Sequence, residues 1–114
     1  MALEHNRING FALAAGADAL GALGRDETAR AWTRRALLID PDNLLVRMNV
    51  AGCLATYFSD DDALDVLEPA VAAMGPGLFV LTKESRRFDR FLDHPRFKSM
   101  MAEAEARLGA KEAS

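Results

Sequence analysis

The chain has 114 residues, with 14 Lys and Arg against 17 Asp and Glu, and therefore a formal net charge of -3. This length is enough for one hydrophobic core and too short for a multidomain enzyme, so we expect a single domain over residues 1–114. Half of the residues are apolar and 27% are charged, which excludes a disordered or fibrous chain. The acidic balance disfavours nucleic acid and anionic membranes as partners, because both select basic surfaces.

Cys53 is the lone cysteine, which excludes an internal disulfide and a cysteine-based zinc site. The sequence has no charged-then-apolar signal segment and no apolar run of membrane-spanning length. We therefore expect a cytoplasmic protein in a reducing environment, without a membrane partner.

Apolar residues spaced three and four apart predict helices and leave no convincing strand. Leu13 and Ala17 have this spacing in the first helix, which Gly24 ends. Asp26 is the expected N-cap of the second helix, and Pro41 ends that helix. We predict six helices in chain order, near residues 4–23, 26–39, 43–57, 60–74, 80–91 and 95–108.

The starts of the third and fourth helices are marked by polar side chains that can accept backbone N–H bonds. The Asp42–Asn43 pair offers a cap for the third helix, and Ser59 with Asp62 resembles a shortened capping box for the fourth. The acidic residues after Ser59 lie where the positive end of a helix dipole favours them. Capping therefore explains this acidic run better than a calcium loop does.

The sequence aligns with itself at an offset of 34 residues without a gap. Small residues recur in some columns and bulky apolar residues in others. The columns are Ala17, Ala51 and Ser85; Ala29 and Ala63; Ala36, Ala70 and Ala104; Leu20, Leu54 and Phe88; and Leu23, Tyr57 and Phe91. They define three units, at about 10–43, 44–77 and 78–109. Because alanine lets two helix backbones approach closely, each unit is predicted to be an antiparallel helix pair that stacks on the next.

The segment LGRDETARAWTRRALLIDPDN resembles the second half of a tetratricopeptide (TPR) repeat, with Gly24, Ala29, Ala36 and Pro41 at the signature positions. The second unit resembles the repeat less closely, and the third departs from it at Phe97, where a small residue is expected. The resemblance implies an all-α, right-handed superhelix of three TPR-like helix pairs, with a degenerate third pair that serves as an end cap.

A narrower resemblance concerns the segments NVAGCLATYFSDDDALDVLEPAV and FDRFLDHPRFKSMM. Both are similar to the carboxyl-terminal TPR tail of bacterial class III adenylate and guanylate cyclases. The resemblance implies a regulatory role in cyclic-nucleotide signalling. The catalytic domain of such proteins is not contained in these 114 residues.

In TPR proteins the first helix of each pair lines a concave groove, and this implies a partner-binding surface in the present chain. The implied groove residues are Phe11, Asp18, Leu45, Met48, Asn49, Phe79, Lys83, Arg86 and Arg90. Phe11, Leu45, Met48 and Phe79 are the expected apolar anchors for a peptide or partner helix, and the two arginines are expected to hold an acidic group. The five-residue clamp that some TPR domains use for chaperone tails is not matched, because Asp18 would repel the ligand carboxylate.

Two other functions stay open. A second copy of the chain could fill the groove, which would make the protein a self-associating scaffold. The basic segment 83–98 is interleaved with Phe88, Phe91 and Phe97 and has the composition of a nucleic-acid adaptor, although the repeat assigns Phe88 and Phe91 to the core.

The sequence contains no catalytic constellation. His5 and His94 are far apart and have no histidine or carboxylate four residues on, which disfavours a metal site, and Cys53 is expected to be a partly buried, inert thiol. We therefore predict a protein without enzymatic activity, metal or cofactor, whose partner is a protein or peptide.

Overall fold

A computed structural model describes residues 9–113, with side-chain burial for residues 9–109. This part of the chain contains helices and turns and no strand, so the all-α class is confirmed. The helices are α1 (Gly10–Ala22), α2 (Asp26–Ile39), α3 (Leu44–Tyr57), α4 (Asp60–Ala73), α5 (Pro76–Glu84), a 3-10 helix (Arg86–Phe91) and α6 (Pro95–Ala113). None of these helices is both long enough and apolar enough to cross a membrane.

Polar side chains cap α1, α3 and α4. The Asn9 side chain accepts a hydrogen bond from the Ala12 N–H at 2.7 Å, and α1 begins at Gly10. The part of the predicted first helix at residues 4–8 lies outside the described residues. Asn43 caps α3 and Ser59 caps α4 as the sequence predicted. Gly24 has φ of +77°, a left-handed conformation that glycine adopts without strain, and it ends the turn after α1.

Asp26 is not the N-cap of α2, which corrects the expectation. Arg25 is the cap residue and makes no side-chain capping bond, whereas Asp26 and Glu27 lie in the first turn of the helix. Carboxylates at these positions stabilise the helix through its dipole instead of through a capping hydrogen bond.

The predicted helix at 80–91 is two elements. α5 begins at Pro76, a favoured first helical residue, and Ser85 has an extended conformation that separates α5 from the 3-10 helix. Residues three apart lie on the same side of a 3-10 helix, and this buries both Phe88 and Phe91. The described chain therefore has six α-helices and one additional 3-10 helix, and α6 continues beyond the predicted end at residue 108.

The helices pack chiefly as sequential pairs. α1 packs against α2, and α3 packs against α4; α1 also lies against α3, and α4 against α6. The 3-10 helix lies against α3, whereas α5 and α6 do not pack as a close pair. The third unit therefore differs from the first two in the way its helices meet.

Small residues hold the pairs together. The alanines of the repeat columns are buried, at positions 17, 29, 36, 51, 63, 70 and 104. Trp32 of α2 lies directly on Gly16 of α1, where an added Cβ would be 2.6 Å from the ring carbon Cε3. Leu23 departs from its column, because it is the C-cap of α1 in an open turn and is 74% exposed.

Candidate peptide-binding groove

The exposed faces of α1 and α3 form the candidate groove. The amino-terminal ends of the two helices meet, because a Cβ on Gly10 would be 3.0 Å from a methyl group of Val46. Phe11 follows Gly10 and is 42% exposed. Leu45 precedes Val46 and is 49% exposed. Asn49, one turn after Leu45, is also exposed. This end of the α1–α3 face offers two large apolar side chains and an amide to a partner.

Met48 is half-buried and packs against the core. Its sulfur lies 3.5 Å from the Thr82 hydroxyl of α5, which also donates a hydrogen bond to the Leu78 carbonyl. Met48 therefore forms part of the groove floor and links α3 to α5.

Phe79 does not line the groove, which corrects the prediction that it is an exposed anchor. Its side chain is 6% exposed and belongs to the hydrophobic core, and the polar side chain of Thr82, one turn later, is also buried. The repeat offset assigned Phe79 the position of Phe11 and Leu45, but α5 is only nine residues long and uses this face to pack inward. Lys83 is exposed, with its Nζ 5.8 Å from the centre of the Phe79 ring.

The middle of the α1–α3 face is covered by the chain itself. Nη2 of Arg87, in the 3-10 helix, lies 2.8 Å from Oδ1 of Asp18 in α1. The guanidinium group passes over α3 at Gly52, where an added Cβ would be 2.5 Å from Nε of Arg87. Asp18 is therefore engaged in an internal ion pair, and a side chain at position 52 would displace the guanidinium group from its present place.

Arg90, a predicted groove residue, makes internal contacts while half of its side chain stays exposed. It donates a hydrogen bond to the carbonyl of Ala55, near the carboxyl end of α3, and forms an ion pair with Asp60 at 2.9 Å. A cation at the negative end of a helix dipole stabilises that helix. Of the predicted arginine pair, Arg86 remains exposed and Arg90 joins the 3-10 helix to α3 and α4.

Cys53 lies beneath the Arg87–Asp18 pair and is fully buried. Burial raises the pKa of the Cys53 thiol to about 11; the Asp18 carboxylate acts in the same direction, and the Arg87 guanidinium opposes it. The thiol is therefore protonated and unreactive at neutral pH, in agreement with the expectation of an inert cysteine.

The basic segment 83–98 does not present stacking rings to solvent. Phe88, Phe91 and Phe97 are at most 5% exposed. Arg96 forms ion pairs with Glu68 at 2.7 Å and Asp65 at 2.8 Å, and the hydrogen bonds to these two carboxylates raise its pKa. The aromatic part of the nucleic-acid hypothesis therefore loses its basis, because single-strand binding depends on exposed rings.

Within the described residues, no group of three or more His, Cys, Asp or Glu side chains is arranged to hold a metal ion. Comparison with known proteins finds no matching family model, no similar curated protein and no similar solved structure. The features that bear on function are therefore the geometry of the α1–α3 face and the sequence pattern.

Proposed function

We propose that this chain is a protein–protein interaction module that binds a peptide or partner helix on the α1–α3 face. The observation that carries the proposal is the pair of exposed side chains, Phe11 and Leu45, on helix ends that meet. Rigid helices present these anchors at a fixed spacing, and apolar anchors supply most of the binding energy of helix-in-groove complexes. The Arg87–Asp18 pair limits the accessible groove to the end that contains these anchors.

The proposed architecture is a right-handed superhelix of TPR-like pairs, with a degenerate third pair. The close α1–α2 and α3–α4 pairs and their buried alanines support it. The resemblance of residues 49–71 and 88–101 to cyclase tails supports a regulatory role in the cytoplasm, in which this module recognises a partner and a separate domain performs the chemistry.

A selection of peptides from a random display library on the wild-type protein tests the binding function. Leu45→Glu should lower the affinity for peptides that bind the groove by about tenfold or more, because the substitution places a charge in the apolar contact. Leu38→Glu is the matched control, since Leu38 is 80% exposed on α2. The proposal fails if no peptide is selected, or if Leu45→Glu and Leu38→Glu affect every selected peptide equally.

The alternative is that a second copy of the chain covers the same anchors, because contiguous apolar patches on soluble proteins mark contact sites. Light scattering over a range of protein concentrations distinguishes the two functions. A dimer that Leu45→Glu converts to a monomer favours self-association, whereas a monomer that binds peptides favours the interaction module.

A further inference from the structure

In addition to the α1–α3 groove, the structure has a cleft between α6, the carboxyl-terminal end of α5 and the residues that follow the 3-10 helix. It has a volume of about 290 Å³, and Lys83, Leu92, Phe97, Lys98, Met101 and Glu105 contribute to its wall. Small-molecule sites usually enclose about 300 Å³ or more, so an open cleft of this size suits one or two side chains of a protein partner better.

Phe97 lines the cleft and is the residue at which the third unit departs from the repeat. In the 34-residue repeat, Phe97 occupies the position of Ala29 and Ala63, which are fully buried where α2 meets α1 and α4 meets α3. Alanine allows close approach of the helices, whereas a phenylalanine ring requires more space. Phe97 is 5% exposed, and its ring is tilted by 40° against that of Phe91, with 5.8 Å between the ring centres. α5 and α6, the unit with phenylalanine in place of this alanine, do not pack as a close pair.

The wall of the cleft combines apolar surface with excess positive charge. Phe97 and Met101 supply apolar atoms, and Leu92 is 55% exposed beside them. Lys83 and Lys98 bring two positive charges against the single carboxylate of Glu105. Within residues 9–109, neither lysine forms an ion pair, in contrast to Arg87, Arg90 and Arg96.

We propose that this cleft is a second docking site, for a partner peptide in which a bulky apolar side chain lies beside Asp or Glu. The apolar side chain contacts Phe97, Met101 and Leu92, and the acidic groups pair with Lys83 and Lys98. Charge complementarity selects the partner, because a basic peptide would meet two positive charges at the cleft. The site does not depend on the α1–α3 face, which lies on other helices.

Short peptides selected from a random display library on the whole chain provide the probe. Sequences with Asp or Glu next to Leu, Phe or Met should be enriched, and high salt should weaken their binding. The double variant Lys83→Glu/Lys98→Glu should lower the affinity for these peptides by about tenfold, which is the combined effect of losing two exposed charge pairs. Leu92→Ser should also weaken them, and circular dichroism should show unchanged helix content for both variants because all three residues are exposed.

Arg35→Glu is the matched charge-reversal control, since Arg35 is exposed on α2, and it should leave peptide binding unchanged. Selected peptides without acidic enrichment, or acidic peptides that bind the double variant at full strength, would overturn the proposal. If Leu45→Glu abolishes peptide binding and the cleft variants leave it unchanged, the cleft proposal is overturned and the α1–α3 groove is supported. The two proposals can therefore be tested independently. A dimer that Leu92→Ser dissociates, without any peptide bound at the cleft, would assign the cleft to a second copy instead.

Discussion

Arg87 and Asp18 form an ion pair 2.8 Å long, although they are 69 residues apart in the chain. The contact joins the 3-10 helix to α1 and passes over α3 at Gly52, so it connects the third unit to the first across the second. In an ideal helical solenoid each unit contacts only its neighbours. This pair therefore adds a long-range constraint and covers the middle of the proposed groove.

The Arg87–Asp18 pair should make a small, measurable contribution to stability. Both side chains are about one third exposed, so solvent screens the attraction. A double-mutant cycle with Arg87→Ala and Asp18→Ala, measured by urea denaturation, should give a coupling free energy of about 0.5 kcal/mol. Arg35→Ala serves as the control for loss of an exposed arginine. Additive effects of the two substitutions would mean that the pair contributes nothing to the folded state.

Gly16 should be required for the contact between α1 and α2. An alanine Cβ at this position would lie 2.6 Å from Cε3 of Trp32, so Gly16→Ala should force the helices apart and lower the free energy of unfolding by about 1–3 kcal/mol.

Gly109→Ala is the control for the same change, because Gly109 lies inside α6 with no neighbouring atom within 4 Å of an added Cβ. There the better helix propensity of alanine should raise the stability by about 0.5–1 kcal/mol. Thermal and urea unfolding of both variants measure the difference. If Gly16→Ala is as stabilising as Gly109→Ala, then Trp32 does not pack on Gly16 as described.

The raised pKa of Cys53 should make the free energy of unfolding vary with pH in the alkaline range. Its pKa is about 11 in the folded protein, against an ordinary value of 9.0, so the folded state keeps the proton after the unfolded chain has lost it. The free energy of unfolding should therefore fall as pH rises from 9.0 to about 11, by on the order of 2 kcal/mol from this group. Below this window the thiol is protonated in both states and the contribution is constant.

The Cys53 contribution can be separated from other titrating groups by comparing the wild type with Cys53→Ala. Urea midpoints measured across the alkaline range should decline less steeply in the variant, and the two proteins should have parallel profiles near neutral pH. Identical slopes in the alkaline range would show that the Cys53 pKa is not raised in the folded state.

Local chemistry was sufficient to predict much of the helical pattern. The second helix has the predicted bounds, and the third and fourth agree to within one residue, because Asn43, Ser59 and Pro41 act on the backbone next to them. The buried alanine columns also follow from the repeat, because a small side chain is needed wherever two helices come into close contact.

The third unit was predicted less well. The repeat offset assumed that α5 resembles α1 and α3, and it therefore placed Phe79 in the groove, although the structure buries that ring. The break at Ser85 was missed because no glycine or proline marks it. A signal was present in Phe88 and Phe91, whose separation by three residues suits a 3-10 turn as well as an α-helix.

Neighbouring residues and periodicity are enough to predict that the chain is helical, where most helices begin and end, and which alanines lie at helix contacts. The pairing of Arg87 with Asp18 and the binding of Arg90 to the end of α3 became evident from the three-dimensional packing alone. These contacts join residues from distant parts of the chain, and a long flexible side chain has many sterically allowed partners until packing brings one of them within reach.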